Sequence, residues 1–324
     1  MSGESGSKPV LSRLHLDQVG RTVSPSEKSQ TEIELPADFD FDWALGFLAA
    51  RTVGSIESVN GREYRRSVRL NGRPVTLEMT EVSRRNGHRR PRRTLVARSS
   101  PRLTEDQLRG AVTRMFDLDA DLAQFQRLAR RDPILAALVR RRSGIRLPQL
   151  LDPFEGLTRA ILGQQVSVAG ASTLTDRLVR LFARLVPGAR RSGFFAFPTA
   201  ADVADAGPDR LRGLGLTRAR AATLDGVARR IADGGLDLER LRMMRPDEAQ
   251  AALECLPGIG PWTASYVRMR ALGDRDAFPA ADLGVIKALT AAGVPRGAIA
   301  DVAERWRPWR GYATLHLWYR PASD

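Results

Sequence analysis

Leu256-Pro257-Gly258-Ile259-Gly260-Pro261-Trp262 is the stretch on which the reading of this chain turns. Apolar residues approach it at helical spacing, Ala251, Leu253 and Leu256, and resume after it at Ala264, Tyr266, Val267 and Met269. Two helices therefore meet here. Pro257 and Gly258 stop the first. Gly260 is expected to take a positive φ and to let the backbone approach a ligand. Pro261 suits the first turn of the second helix, where a missing N–H costs nothing. Pro-Gly-x-Gly alone would suit a plain corner, but the full string with a helix on each side predicts a helix–hairpin–helix turn. The N–H groups of Gly258 and Gly260, at a positive helix N-terminus, form an expected seat for a phosphate. Ile259 and Thr263 belong to the same expected DNA contact. Asp282 follows 20 residues after Trp262, at the start of another helix. A buried acid beside a phosphate grip suggests chemistry on DNA.

The rest of the chain is consistent with a polyanionic partner. It has 324 residues, a formal net charge of +14 and a pI near 11.1. Only Lys8, Lys28 and Lys287 among its 51 basic residues are not arginine. Such a balance points to nucleic acid before any other partner. Charge alone does not separate a repair enzyme from an architectural protein. Cys255 is the only cysteine, which excludes a disulfide within the chain and a four-cysteine iron–sulfur cluster. It is expected as a small core residue of the hairpin's first helix. His15, His88 and His316 are scattered, so no catalytic transition metal is indicated. There is no signal core and no run of 18 apolar residues. The expectation is a cytoplasmic, nucleoid-associated protein with no membrane contact.

Three regions follow from the pattern. Residues 1–30, rich in Ser, Gly and charge, read as a disordered tail. Residues 31–120 read as an α+β domain. An apolar helix covers 42–52, and the period then changes to alternation around Tyr64, Val68, Leu70, Val75, Leu77 and Met79, with hairpin signals at Asn60-Gly61 and Asn71-Gly72. Eight arginines and no acid lie between Arg84 and Arg102, which reads as a solvated loop between strands. From Leu103 the pattern is helical, with helix starts at Thr104 (Gln107 completing a capping box), Asp132-Pro133 and Asp152-Pro153. Leu214-Gly215-Leu216-Thr217 marks a loop before another helix. Residues 121–324 are expected as a two-lobed helical domain.

Several segments share a resemblance. Trp43-Ala44-Leu45-Gly46-Phe47-Leu48-Ala49-Ala50-Arg51, Ala160-Ile161-Leu162-Gly163-Gln164-Gln165-Val166-Ser167, Trp306-Arg307-Pro308-Trp309-Arg310 and Leu315-His316-Leu317-Trp318-Tyr319 join the hairpin string. In order, over roughly residues 31 to 321, they resemble the helix–hairpin–helix/Gly-Pro-Asp superfamily of DNA glycosylases. Within it they resemble the AlkA type, 3-methyladenine DNA glycosylase II. The resemblance implies an α+β fold with a small antiparallel sheet followed by the helical hairpin domain, its active site between two lobes. It implies a monomer acting on duplex DNA that carries a damaged base.

By that resemblance Asp282 is the catalytic carboxylate. An Asp at such a place also reads as a helix N-cap, and the roles agree, because a capping Asp is fixed in orientation. One carboxylate suffices where the leaving base is already cationic, as after alkylation at ring N3 or N7. Ordinary glycoside hydrolysis needs a second acid. The target base must first leave the stack. An aromatic pocket for a cation is expected from Trp262, Tyr266, Trp318 and Phe47, and Trp262 and Tyr266 stand four apart on one helix face. Gln164 and Gln165 match the family's wedge segment, with a helix-tying role as the alternative for a buried Gln. Two positions depart from the best-known member. Gln165 replaces a leucine, and Leu283 an aromatic, which shrinks the stacking area. Lyase-active relatives carry a Schiff-base lysine where this chain has Trp262, so a monofunctional enzyme is expected. Lys287 reads as a structural or phosphate contact. No cofactor is required, but the resemblance implies a monovalent cation, Na+ or K+, on the carbonyls of Glu254, Leu256 and Ile259. The rivals are a lyase for oxidised purines and a non-catalytic DNA-binding protein.

Overall fold

A computed structural model describes residues 29–84, 92–184 and 193–319. It opens with five antiparallel strands, β1 (Ser29–Glu34), β2 (Glu57–Asn60), β3 (Glu63–Leu70), β4 (Arg73–Arg84) and β5 (Arg92–Ser100), in the spatial order β1-β5-β4-β3-β2. Helix α1 (Phe41–Ala49) lies between β1 and β2 in the chain. Asn71 and Gly72 form a two-residue turn, both with positive φ (51° and 75°), and Leu70 pairs with Arg73. That is the twist-matched hairpin turn expected of Asn-Gly. The other signal is displaced by one residue. Asn60 is still paired, with Glu63, and the turn is Gly61-Arg62, because glycine at φ 55° supplies the conformation.

Two expectations about charged segments change. The tail reading of 1–30 lies outside the described residues as far as 28, but Ser29 and Gln30 already pair with Ser99 and Arg98. In the arginine run, 85–91 lie outside the described residues. Arg93 and Arg98 stand on β5 rather than in a loop. Arg93 Nη1 donates to Phe39 O at 2.7 Å, and Arg98 Nε to Gln30 Oε1 at 2.9 Å. The alternation of the neighbouring strands extends the sheet through these arginines, whose long stems tolerate a strand face.

Helices account for the remainder: α2 (Glu105–Phe116), α3 (Leu122–Arg131), α4 (Leu135–Arg141), α5 (Pro153–Leu162), α6 (Val168–Phe182), α7 (Ala200–Arg212), α8 (Arg218–Ala232), α9 (Leu238–Met243), α10 (Pro246–Glu254), α11 (Pro261–Arg270), α12 (Leu283–Ala291), α13 (Ile299–Glu304) and α14 (Arg310–Trp318). Their starts follow side-chain chemistry. Thr104 and Gln107 complete the capping box of α2. Asp132 Oδ1 accepts from Ile134 N and Leu135 N, both at 2.9 Å. Asp152 caps α5, and Thr217 caps α8.

The apolar faces assemble into two cores. One joins the sheet and α1–α4 to the C-terminal helices through Tyr64, Leu77, Phe116, Phe125, Trp306 and Tyr312. The other holds α5–α11 through Leu157, Leu178, Val203, Leu224, Leu253 and Val267. Helix α11 belongs to both, with Val267 in the second core and Met269 in the first. Tyr266, half-buried between them, packs against each core. Helix α11 therefore lies between the two cores. Each fully buried apolar side chain contributes about 1.5–3 kcal/mol to the lobe holding it. No single described helix is long and apolar enough to cross a bilayer.

A buried ionic cluster ties the sheet to α5. Arg66, on β3 and 1% exposed, pairs with Glu155 at 2.6 Å. Arg159 donates to Glu155 Oε1 at 3.0 Å and to Glu57 Oε1 at 2.8 Å, while Tyr64 Oη donates to Glu57 Oε2 at 2.5 Å. Burial opposes the charge on Arg66, but the two carboxylates hold its pKa above the ordinary arginine value. Charges so deep are tolerated because each has an opposite charge and hydrogen bonds.

Candidate active site

The hairpin is the turn between α10 and α11. Leu256 and Ile259 point into the second core, 3% and 4% exposed, and Ile259 N donates to Leu256 O at 3.0 Å. This anchoring pushes Gly258 and Gly260 to the surface. The positive φ falls at Gly258, at 83°, and not at Gly260, which sits at φ −95° as the N-cap of α11. A Cβ at Gly258 would stand 1.9 Å from Thr223 Oγ1 on α8, so close helix packing also demands glycine there. Open space surrounds the Cβ position of Gly260. Neither glycine's N–H donates to an acceptor among the described residues, which leaves both for an anion at the positive end of α11. Cys255 is exposed, contrary to its expected place in the core, because Leu253 of α10 and Leu256 of the turn point inward instead.

Among the other expected DNA contacts, Gln165 is exposed with φ 55°, a left-handed conformation uncommon for a non-glycine residue. Its exposed neighbours are Val166 and Val168. Gln164 is turned the other way. Its Nε2 donates to Gly258 O at 2.9 Å and to Thr263 Oγ1 at 3.0 Å, so this side chain ties the end of α5 to the hairpin. Thr263 is 3% exposed, and its hydroxyl is engaged by Gln164. Any reach of Thr263 to DNA is left to its backbone. Glu254 O and Ile259 O accept no backbone hydrogen bond among the described residues, and Leu256 O accepts one. Three carbonyls with spare lone pairs at one turn fit a hard monovalent cation.

Asp282 caps α12 and is half-buried, rather than buried as expected. Oδ1 accepts from Gly284 N at 2.8 Å, Val285 N at 3.1 Å and Trp318 Nε1 at 2.8 Å. Oδ2 accepts from Trp262 Nε1 at 3.0 Å. A Cβ at Gly284 would stand 3.0 Å from both Asp282 Oδ1 and Trp318 Cδ1, so glycine lets the indole close on the carboxylate. One oxygen is thus saturated by three donors, and the other keeps a lone pair for a reacting atom.

The aromatic residues assemble around this acid. Trp262 and Tyr266 stack at 5.4 Å and 26°, and Tyr266 lies 6.2 Å from Trp318. All three are half-buried. Phe47 takes a deeper place than expected. It is 8% exposed, stacked on Trp43 at 5.2 Å and near Trp318 at 6.4 Å. Two guanidinium groups cover it, Arg51 at 3.7 Å and Arg270 at 4.7 Å from the ring centroid. Leu283 is 75% exposed, beside Asp282 at the rim. Lys287 is exposed on α12.

Arg51 and Arg270 were not singled out from sequence. Each stands four residues after an expected pocket aromatic, Phe47 and Tyr266, and that spacing was the available signal. Burial pushes the Arg51 guanidinium down to about 10, and burial likewise lowers Arg270.

The antiparallel sheet, the two packed cores and the hairpin that sets Trp262 against the capped Asp282 match known protein families. Residues 32–152 match the AlkA N-terminal domain, and residues 158–307 match the HhH-GPD superfamily base excision DNA repair protein. The chain belongs to the HhH-GPD superfamily, in the group with an AlkA N-terminal domain. It is 36% identical over 288 residues to DNA-3-methyladenine glycosylase 2 of Escherichia coli, covering 87% of this chain and 94% of that one. It is also 36% identical over 290 residues to a Mycobacterium tuberculosis protein described as a "probable bifunctional transcriptional activator/DNA repair enzyme AlkA". There it spans 55% of the relative's length. Among solved structures, a 3-methyladenine DNA-glycosylase from Archaeoglobus fulgidus superposes with a TM-score of 0.74 at 26% identity, over 89% of this chain and 97% of that one. An 8-oxoguanine glycosylase/lyase from Clostridium acetobutylicum, at 19% identity and TM-score 0.67 over 91% and 98% of the two chains, shares the fold.

Proposed function

We propose that this chain is a monofunctional DNA glycosylase that hydrolyses the N-glycosidic bond of alkylated purines in duplex DNA, 3-methyladenine and 7-methylguanine foremost. It leaves an abasic site for base excision repair. The observation that carries this reading is Asp282, oriented by four donors beside three half-buried aromatic rings.

The hairpin N–H groups of Gly258 and Gly260 hold a phosphate, and Gln165 enters the gap left by the flipped nucleotide. The extruded base lies against Trp262, Tyr266 and Trp318, whose electron-rich faces attract a cation. As the glycosidic bond breaks, its electron pair neutralises the departing base and positive charge grows on the sugar. Asp282 Oδ2 stabilises that charge and receives a proton from the attacking water. Oδ1 remains fixed by its three donors, so the carboxylate does not reorganise as charge develops. A monovalent cation on the carbonyls of Glu254, Leu256 and Ile259 would add positive charge where the phosphate binds. Trp262 stands at the position of a Schiff-base lysine, and this supports hydrolysis without strand nicking. The enzyme is proposed to act as a monomer on nucleoid DNA.

The test is incubation with methylated duplex DNA, scoring free base and strand breaks before and after alkali. Free 3-methyladenine, with breaks only after alkali, is the expected result. Breaks without alkali would establish a lyase and direct attention to Lys287. Tight DNA binding with no released base would leave a binding protein.

A further inference from the structure

Four guanidinium groups and two carboxylates lie behind the aromatic site. Arg66 and Arg159 are matched by Glu57 and Glu155. Arg51 and Arg270 have no carboxylate partner among the described residues. Arg270 is 3% exposed, its Nε donates to Pro148 O at 2.6 Å, and its Nη1 is buried without a partner. Arg51 is only partly buried, and so of these two cations it is the one that a ligand can meet.

Several contacts keep Arg51 from closing onto Asp282. Its Nη1 donates to Phe47 O at 3.2 Å, near the C-terminus of α1, where carbonyls lack helical partners and a cation is favoured. Its guanidinium covers the Phe47 ring at 3.7 Å. Arg159 Nη2 holds the Arg51 carbonyl at 2.8 Å, fixing its backbone to the ionic cluster. Trp318 spans the interval. Its ring is 5.9 Å from the Arg51 guanidinium carbon, and its Nε1 is 2.8 Å from Asp282 Oδ1. The aromatic site is therefore bounded by a cation at one end and an anion at the other. No hydrogen bond joins Arg51 to Asp282 among the described residues.

We propose that Arg51 is the positive pole of the site, set at the base end so that its field, with Asp282 at the sugar end, drives positive charge from the alkylated base onto the sugar. This rests on the proposed glycosylase activity and concerns how the same site performs it. In a duplex carrying 7-methylguanine, the base begins cationic. The bond between C1′ and N9 breaks, its electron pair stays with N9, and the base leaves neutral. The charge appears at C1′, where water then adds and loses its proton. A guanidinium beside the base repels the cationic ground state, and that repulsion fades as the base becomes neutral. Such an interaction raises the rate without improving substrate binding.

Single-turnover release of 7-methylguanine from duplex DNA tests this, with the rate at saturating enzyme and the half-saturation concentration measured separately. The variants are Arg51→Met, which keeps the apolar stem, Arg51→Gln as a second neutral variant should Met disturb the lobe, and Arg51→Lys, which keeps the charge. Both neutral variants should lose at least tenfold in the saturating rate, with half-saturation unchanged or tighter. Arg51→Lys should recover most of the rate. Weaker half-saturation with an unchanged rate would overturn the proposal in favour of a simple contact. Equal loss in Arg51→Lys and Arg51→Met would overturn it in favour of packing. Failure of the unaltered protein to release base would sink the glycosylase reading and this inference with it. Release by the unaltered protein with no effect of the variants would sink this inference alone.

Discussion

Replacing Asp282 by Asn changes one atom of the proposed centre and almost nothing of its scaffold. The amide oxygen keeps the place of Oδ1 and its donors at Gly284 N, Val285 N and Trp318 Nε1. The amide nitrogen takes the place of Oδ2, 3.0 Å from Trp262 Nε1, so two donors face each other where a hydrogen bond stood. The indole is half-buried, and the loss should cost about 1 kcal/mol of stability. The catalytic loss is larger. A carboxylate about 4 Å from a developing sugar cation, at an effective dielectric near 20, stabilises it by about 4 kcal/mol. Since each 1.36 kcal/mol is tenfold, the rate should fall by about 10³. DNA affinity should stay within about threefold, because the proposed phosphate seat at Gly258 and Gly260 belongs to a different turn. The assay is single-turnover release of 7-methylguanine, with affinity by fluorescence anisotropy and the melting temperature as control. An Asp282→Ala companion also removes the helix cap, at a further cost of about 1–2 kcal/mol. Release by Asp282→Asn within tenfold of the unaltered protein would rule out Asp282 as the group that stabilises the sugar cation.

Other consequences concern stability. His316 is fully buried beside Phe125, with both ring nitrogens unpartnered, and burial pushes its pKa down to about 4. The folded state resists its protonation, so stability is present above the unfolded value of 6.5 and is lost as the pH falls toward 4. His316→Phe should therefore gain on the unaltered protein by up to about 3 kcal/mol between those limits in urea denaturation, and a flat difference would contradict this. Asp152 acts in the opposite sense: burial raises it from 3.8 to about 6, so its contribution is lost as the pH rises through that window. Comparing the two proteins at each pH cancels its effect. Gly258→Ala meets both a φ of 83° and Thr223 Oγ1 at 1.9 Å. It should cost more than the ~1–2 kcal/mol of the dihedral alone and weaken DNA binding, and Thr223→Ala should relieve only the clash. Glu155→Ala leaves Arg66 buried with only Glu57, at 4.0 Å, and should cost about 3–5 kcal/mol in thermal denaturation.

What could be read before folding was local. The hairpin string, the cap at Asp282, the Trp262–Tyr266 face and the turn at Asn71-Gly72 depend on φ preference, missing donors and i,i+4 spacing, all written into adjacent residues. The same reasoning moved the positive φ to Gly260, because adjacent sequence does not reveal that Thr223 of α8 packs on Gly258. It placed Cys255 in the core for a similar reason, since the facing of one helix position depends on which neighbours it packs against. Adjacent residues alone were enough for two helices around a glycine turn, an α+β organisation and one acid at a helix start. Packing between distant segments makes Trp318, 36 residues beyond Asp282, and Trp262, 20 before it, both donors to that acid. The same packing makes Gln164 and Thr263 spend their polar groups on the hairpin, matches Arg66 with Glu155, and leaves Arg51 over Phe47 with no carboxylate partner among the described residues. Charge compensation and access to the cleft arise between segments distant in sequence, so no local pattern carries them.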